Sequence, residues 1–292
     1  MGISRVAYAE LGVSDIDEAA AIHTDVLGFK ELGREDGAVR FGCGIDGVSD
    51  LILREGRSGV HRFGVKVDSS DDIAYYAKRL ADAGIHTEQR TDVDPGVRVA
   101  LSFTAPSGHI IELVDTVVER GYLNPSSAGA HQQGIRARDF DHITLHAQDA
   151  GGLTDFIVNV LEGRVSDIFQ PAPGVVGAAW TRFSQFHHDI AVFSTQNPNA
   201  TLNHYALAMD SFEHLGEAAD VLSRAGIQVE VGPGRHGVGG NQYCYFWING
   251  NRYELSANMP RVDISEPGIW TNFDEAFSPW GHKPPASMAE GS

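Results

Sequence analysis

The feature that most restricts this chain is that it matches itself. Shifted by 142 residues, Asp68 falls on Asp210, Ser69 on Ser211, Gly84 on Gly226, Ile85 on Ile227, Glu88 on Glu230 and Glu112 on Glu254, with no gap. A unit repeated at this period calls for two copies of one supersecondary assembly rather than one irregular domain. The copies span roughly residues 1–120 and 138–258. The Gly/Ser/Pro/Gln-rich stretch GYLNPSSAGAHQQG marks a linker, assigned to 121–137. Residues 259–292 follow as a tail. Its Trp270, Phe273, Phe277 and Trp280 are aromatics that disordered segments lack, so the tail is expected to pack on the body near the active site, at least as far as Trp280.

Within each copy the hydrophobic period changes in the same order. RVAYAEL and DHITLHA alternate as half-buried strands do. DIDEAAAIHTDVLGF and LTDFIVNVL carry apolar residues at helical spacing, the former between Asp15 and Gly28. Short strand-like runs follow (AVRFGC and DLILRE; GAAWTRF and DIAVFS). Next come an alternating strand, a second helix closed by glycine, and two strands ending in Glu-Leu. Each copy is therefore two βαβββ modules, and the predicted class is α+β, two tandem domains each forming a curved mixed sheet.

Composition excludes several functions. The 39 acidic and 22 basic side chains leave a net charge of −17, the wrong sign for a nucleic-acid-binding face. No run approaches the roughly 20 apolar residues of a membrane span. The N-terminus lacks the pattern of a secretory signal. Two cysteines, Cys43 and Cys244, make no disulfide framework, which fits a cytoplasmic protein. Homo-oligomers are common among soluble proteins, and a homo-oligomer is the expectation here.

The 13 histidines carry the chemistry, and the repeat supplies a control. His142, His204 and Glu254 lie at strand starts and ends of the second copy; the matching positions of the first are read as Ala7, Arg62 and Glu112. The spacing agrees, since 254 − 204 and 112 − 62 are both 50. Side chains on one face of a curved sheet converge. Two imidazoles and a carboxylate on one face of a metal leave three positions open, the set used by non-haem Fe(II) in oxygen chemistry. His188, in FHHDIAVF, is expected on a strand lining the same sheet. His187 and His188 alternate faces, so one of them is expected at the surface. His236 and Tyr245 flank the approach to Glu254. Near a metal, a histidine moves protons at neutral pH, and a tyrosine hydroxyl orients a substrate oxygen.

These residues resemble the type I extradiol ring-cleavage dioxygenases of the vicinal oxygen chelate superfamily. The likeness runs through DHITLH, HHDIAVF, NHYALAM, GPGRHGVGGNQYCYF and YELSAN. GPGRHGV and the WTNFDEAFSPWG tail look most like the branch containing homoprotocatechuate 2,3-dioxygenase and catechol 2,3-dioxygenase. The resemblance implies the vicinal oxygen chelate fold. It makes His142, His204 and Glu254 ligands of Fe(II), with Mn(II) accepting the same set. It also makes His188 the acid/base at the oxygen site, and His236 and Tyr245 contacts to the oxygens of a catechol cleaved with O2. Two departures stand out. The turn before Glu254 is one residue shorter than usual, giving a Tyr245-to-Glu254 spacing of nine. Val231 stands where the homoprotocatechuate branch has an arginine for the substrate's carboxylate, which points to a neutral or apolar ring substituent. The rival readings are a glyoxalase-like metal-dependent isomerase and a non-catalytic protein of the same fold that sequesters ligands.

Overall fold

A computed structural model describes residues 2–43, 48–92, 94, 96–116, 133–263 and 266–292. In the first half, β1 (Ile3–Val13), α1 (Ile16–Ile22), β2 (Lys30–Glu35), β3 (Ala38–Gly42) and β4 (Leu51–Glu55) form one module. The second is β5 (Gly59–Val67), α2 (Ser70–Asp82), β6 (Thr87–Thr91), β7 (Val97–Thr104) and β8 (Ile110–Thr116). The second half repeats the order with β9 (Asp139–Ala147), α3 (Ala150–Asn159), β10 (Arg164–Phe169), β11 (Ala178–Arg182) and β12 (Ile190–Ser194). Its second module is β13 (Leu202–Met209), α4 (Phe212–Arg224), β14 (Val229–Arg235), β15 (Gln242–Ile248) and β16 (Asn251–Ala257). The mixed α+β architecture of repeated modules is the one the periodicity predicts.

Each half builds one sheet, ordered β2-β3-β4-β1-β5-β8-β7-β6 and β14-β15-β16-β13-β9-β12-β11-β10-β17, where β17 is Gly268–Trp270 of the tail. In both, an antiparallel pair at the centre (β1 with β5, β9 with β13) joins two modules by parallel outer neighbours. The identities that revealed the repeat are largely helix punctuation. Ser69 and Ser211 are N-caps of α2 and α4, and Gly84 and Gly226 follow their ends at φ 74° and 75°, a left-handed conformation that favours glycine. On α4 the buried Leu215, Ala218 and Leu222 recur at helical spacing and face the sheet.

One apolar cluster runs across both halves, from Val6 and Leu11 to Tyr205 and Leu255. Polar contacts cross the same junction: His23 Nε2 lies 2.7 Å from the Tyr253 hydroxyl, and Asn251 Nδ2 donates to the Gly12 carbonyl at 2.8 Å. Most of the expected linker lies outside the described residues. Its last part is docked, with Ile135 N donating to Val26 O and Arg136 N to Leu27 O. Cys43 and Cys244 are both buried, and neither is in a disulfide. Among the described residues no helix is long and apolar enough to cross a membrane.

Candidate active site

Alternation along the strands of the second sheet separates two faces. On β15 and β16, Cys244, Phe246, Tyr253 and Leu255 join the core, whereas Tyr245 and Glu254 point the other way. β9 presents His142 and Thr144 on that inner face, and β13 presents His204 just after a register shift between Leu202 and His204. Strands separated in sequence thus deliver side chains to one pocket.

At its floor, His142 Nε2 and His204 Nε2 are 3.1 Å apart, and Glu254 Oε2 lies 3.2 and 3.0 Å from them. All three residues are buried, and their ligand atoms fall within 4.8 Å of one another, a set able to hold a metal ion. Their partners fix the tautomers. Asp141 Oδ2 lies 2.8 Å from His142 Nδ1, and Asn203 Oδ1 lies 2.8 Å from His204 Nδ1. Acceptors there hold the protons on Nδ1 and turn both Nε2 lone pairs inward. Two lone pairs and a carboxylate oxygen this close require positive charge between them, a proton or a cation. The electrostatics say the same. Burial disfavours charge on His142, but Glu254 and Asp141 outweigh it and raise the imidazole to about 9. Burial pulls His204 down to about 4 despite its bond to Glu254. Burial would raise Glu254, yet His142 and the bonds from both imidazoles hold it well below the ordinary carboxylate range.

The other expected residues gather here too. The Tyr245 hydroxyl lies 3.0 Å from both Glu254 Oε2 and His236 Nε2, and its single proton serves one of them at a time. His236 Nδ1 is 2.8 Å from the Phe277 carbonyl, which makes Nδ1 the donor and leaves Nε2 a lone pair towards the pocket. Burial, then the charge on Glu254, raises the Tyr245 phenol well above its usual value, so it remains a donor. The His188 ring lies 4.2 Å from that of His142 and lines the pocket, and burial followed by the His142 charge keeps it neutral. The short turn is explained by pairing. Tyr245 is directly opposite Glu254, and the strands close at Ile248–Asn251 around Asn249 and Gly250, both at positive φ, the two-residue hairpin that a spacing of nine demands.

Three expectations are corrected. His188 is not on a strand but in the turn before β12, where the loop geometry aims it inward. His187 is not at the surface; it is buried against His188 and Asp167, because strand alternation does not apply in a turn. The first-half counterpart of His142 is Tyr8, not Ala7. Tyr8 is opposite Gly64 and His142 opposite Ala206, whereas the constant offset fails in the first module. Asn203, Asp141, Thr144 and Asp167 were not singled out from sequence, nor was Asn241, whose Nδ2 donates to Glu254 Oε1 at 3.3 Å. The readable signal for two of them was that a carbonyl-bearing residue directly precedes each histidine, in Asp141-His142 and Asn203-His204.

The rest of the pocket wall is apolar: Trp180, Phe193 and Val238, with Phe273, Phe277 and Met288 from the tail. Phe273 and Phe277 belong to α5 (Phe273–Phe277), and Met288 to a short 3₁₀ turn. Trp280 is half exposed but its ring meets Phe212 and the Arg235 guanidinium. Among the described residues no Lys or Arg lines the pocket. Val231 packs behind Tyr243 and Phe277.

The fold and this inward-facing site are those of a duplicated chelate-type sheet protein, and sequence comparison agrees. The Glyoxalase/Bleomycin resistance protein/Dioxygenase superfamily matches residues 5–113 and 139–255, and the chain belongs to it. It is 27% identical over 271 residues to the metapyrocatechase of Pseudomonas sp. (strain CF600), covering 87% of this chain and 86% of that one. It is 22% identical to the manganese-dependent 2,3-dihydroxybiphenyl 1,2-dioxygenase of Geobacillus genomosp. 3, over 87% and 84% of the two chains. Among solved structures, the 2,3-dioxygenase LapB from Pseudomonas sp. KL28 superposes with a TM-score of 0.85 at 27% identity, covering 92% of this chain and 98% of that one.

Proposed function

We propose that this protein cleaves the ring of a catechol-type substrate beside its two hydroxyls, using O2 and a divalent metal, Fe(II) or Mn(II), held by His142, His204 and Glu254. The observation that carries the reading is the convergence of two Nε2 lone pairs and one carboxylate oxygen at 3.0–3.2 Å on the floor of a pocket walled in part by Trp180, Phe193, Val238 and the tail aromatics. The donor set fits such an ion, because each histidine already has its other nitrogen committed to an outer acceptor. When bound, the ion supplies the positive charge that favours ionised catechol oxygens and open positions for both reactants.

The chain's own residues do the rest. Tyr245 and His236 present a donor and an acceptor 3.0 Å apart beside Glu254, suited to hold one catechol oxygen and fix the ring's orientation. His188, neutral and buried on another wall, accepts a proton from the substrate and returns one as the ring opens. The tail aromatics and Met288 keep bulk water from the reacting oxygens. Because no Lys or Arg among the described residues lines the pocket, an anionic ring substituent would lack a guanidinium or ammonium partner, so alkyl or unsubstituted catechols are favoured over carboxylated ones. In this reading the half spanning residues 138–258 is catalytic and the half spanning 1–120 is its scaffold.

The test is anaerobic loading with Fe(II) or Mn(II), then air and a panel of catechols. A yellow semialdehyde-type product carrying both atoms of O2, seen by absorbance and mass spectrometry, is expected with neutral catechols. A protein with one equivalent of metal that opens no ring overturns the proposal, and one that binds catechols without metal would be a sequestering protein instead.

A further inference from the structure

Behind the His188 wall runs a line of polar side chains that the ligand set does not use. His188 Nδ1 lies 3.0 Å from His187 Nδ1, His187 Nε2 lies 2.5 Å from Asp167 Oδ2, and Asp167 Oδ1 accepts from Trp270 Nε1 at 2.9 Å. His187 and His188 are 3% and 4% exposed, whereas Asp167 stands on β10 beside the edge strand β17, nearer solvent. The His187 backbone is clamped at both ends: its N–H donates to Pro260 O at 2.9 Å, and its carbonyl accepts from Ser166 Oγ at 2.5 Å. Its ring is backed by Gly239, where a Cβ would come within 2.9 Å of Nδ1. The line is built, not incidental.

We infer that Asp167 and His187 are positioning residues that set the tautomer of His188, leaving its Nε2 as a lone pair towards the pocket. This rests on the proposed ring cleavage. A carboxylate only accepts hydrogen bonds, so His187 donates to Asp167 from Nε2. With its proton on Nε2, His187 offers a lone pair on Nδ1, and the bond to His188 is made only if His188 donates from its own Nδ1. What remains on His188 is a bare Nε2, the form able to take a proton from a substrate hydroxyl. The order is that of a carboxylate orienting a catalytic imidazole, extended by one ring. Trp270 holds the second carboxylate oxygen and thereby keeps Oδ2 aimed at His187.

The isosteric Asp167→Asn tests this, because its amide keeps an oxygen for Trp270 and offers an N–H to His187. That reverses the donor in the links from residue 167 to His187 and from His187 to His188, and puts the His188 proton on Nε2. In the zinc-loaded full chain, ¹⁵N-histidine NMR should report His188 as the Nδ1–H tautomer in wild type and the Nε2–H tautomer in the variant. In the metal-loaded enzyme kcat should fall about a hundredfold with KM for the catechol and metal content unchanged. Asp167→Glu should recover part of the rate. Wild-type His188 found as Nε2–H, or a folded Asp167→Asn that keeps kcat within twofold, overturns the inference. If the wild type cleaves no catechol, ring cleavage itself fails, while the NMR result still decides the tautomer.

Discussion

The two halves answer the same electrostatic problem in different ways. In the second, Glu254 is buried between His142 and His204. In the first, the equivalent Glu112 is equally buried, and the equivalent neighbours are Tyr8 and Arg62. Tyr8 donates to Glu112 Oε2, Arg62 Nη1 meets the same oxygen at 2.5 Å, and Arg90 pairs with Oε1. Glu10 opposes Arg62 where Thr144 opposes His204, and it bonds the Arg62 Nε at 2.9 Å; Asp94 adds a contact at 3.0 Å. A carboxylate fixed at this place in the sheet must have a cation, and each half provides for one. The first half carries a covalent, permanent guanidinium. The second leaves two imidazoles and an acid around a position that an exchangeable ion fits. The lesson is that one sheet scaffold supports either stability or chemistry at the same register position, depending on whether the cation is part of the chain.

Removing the donor from each half should therefore have opposite consequences. His204→Ala should lose stoichiometric metal and nearly all activity, well beyond the roughly 10–100-fold typical of losing an outer partner, with little change in Tm; metal analysis and turnover check it. Arg62→Met should do the reverse. It leaves Glu112, Glu10 and Asp94 short of a cation and should cost about 3–5 kcal/mol in urea unfolding, while metal content per folded molecule holds. An Arg62→Met variant as stable as wild type would break the comparison.

A third test acts where the halves meet. Burial lowers His23 to about 4, against the opposing effect of its bond to Ala19 O. Above the ordinary histidine value near 6.5 both folded and unfolded forms are neutral, and His23 adds no pH dependence. As pH falls from about 6.5 towards 4, only the unfolded chain takes the proton, and stability declines by something on the order of 2–3 kcal/mol. His23→Phe should remove that part of the acid slope, measured as the difference from wild type in urea midpoints between pH 7 and 4.5. The smallest effect is a gain: Tyr8→His with Arg62→His should create weak binding of a second divalent ion, read as a second equivalent by calorimetry. No second equivalent in a folded double variant would mean the two sites are less alike than their register suggests.

What could be read along the chain was whatever is local or repeated. The Ser69/Ser211 caps, the Gly84/Gly226 stops and the alternation of HITLH or YCYFW express short-range preferences, and the duplicate revealed their order. His142, His204 and Glu254 were legible because residue type and spacing survive pairing. Legible only in space were the features set by how strands register and loops close. A shift near the centre of each antiparallel pair made Tyr8 rather than Ala7 the partner of the first-half carboxylate. A turn brought both His187 and His188 inward, and Asp167, twenty residues before His187, met it across the sheet edge. The physical reason is that periodicity tells which face a residue occupies within its own strand, whereas the neighbour it meets there depends on contacts between segments distant in sequence, which only the packed core decides.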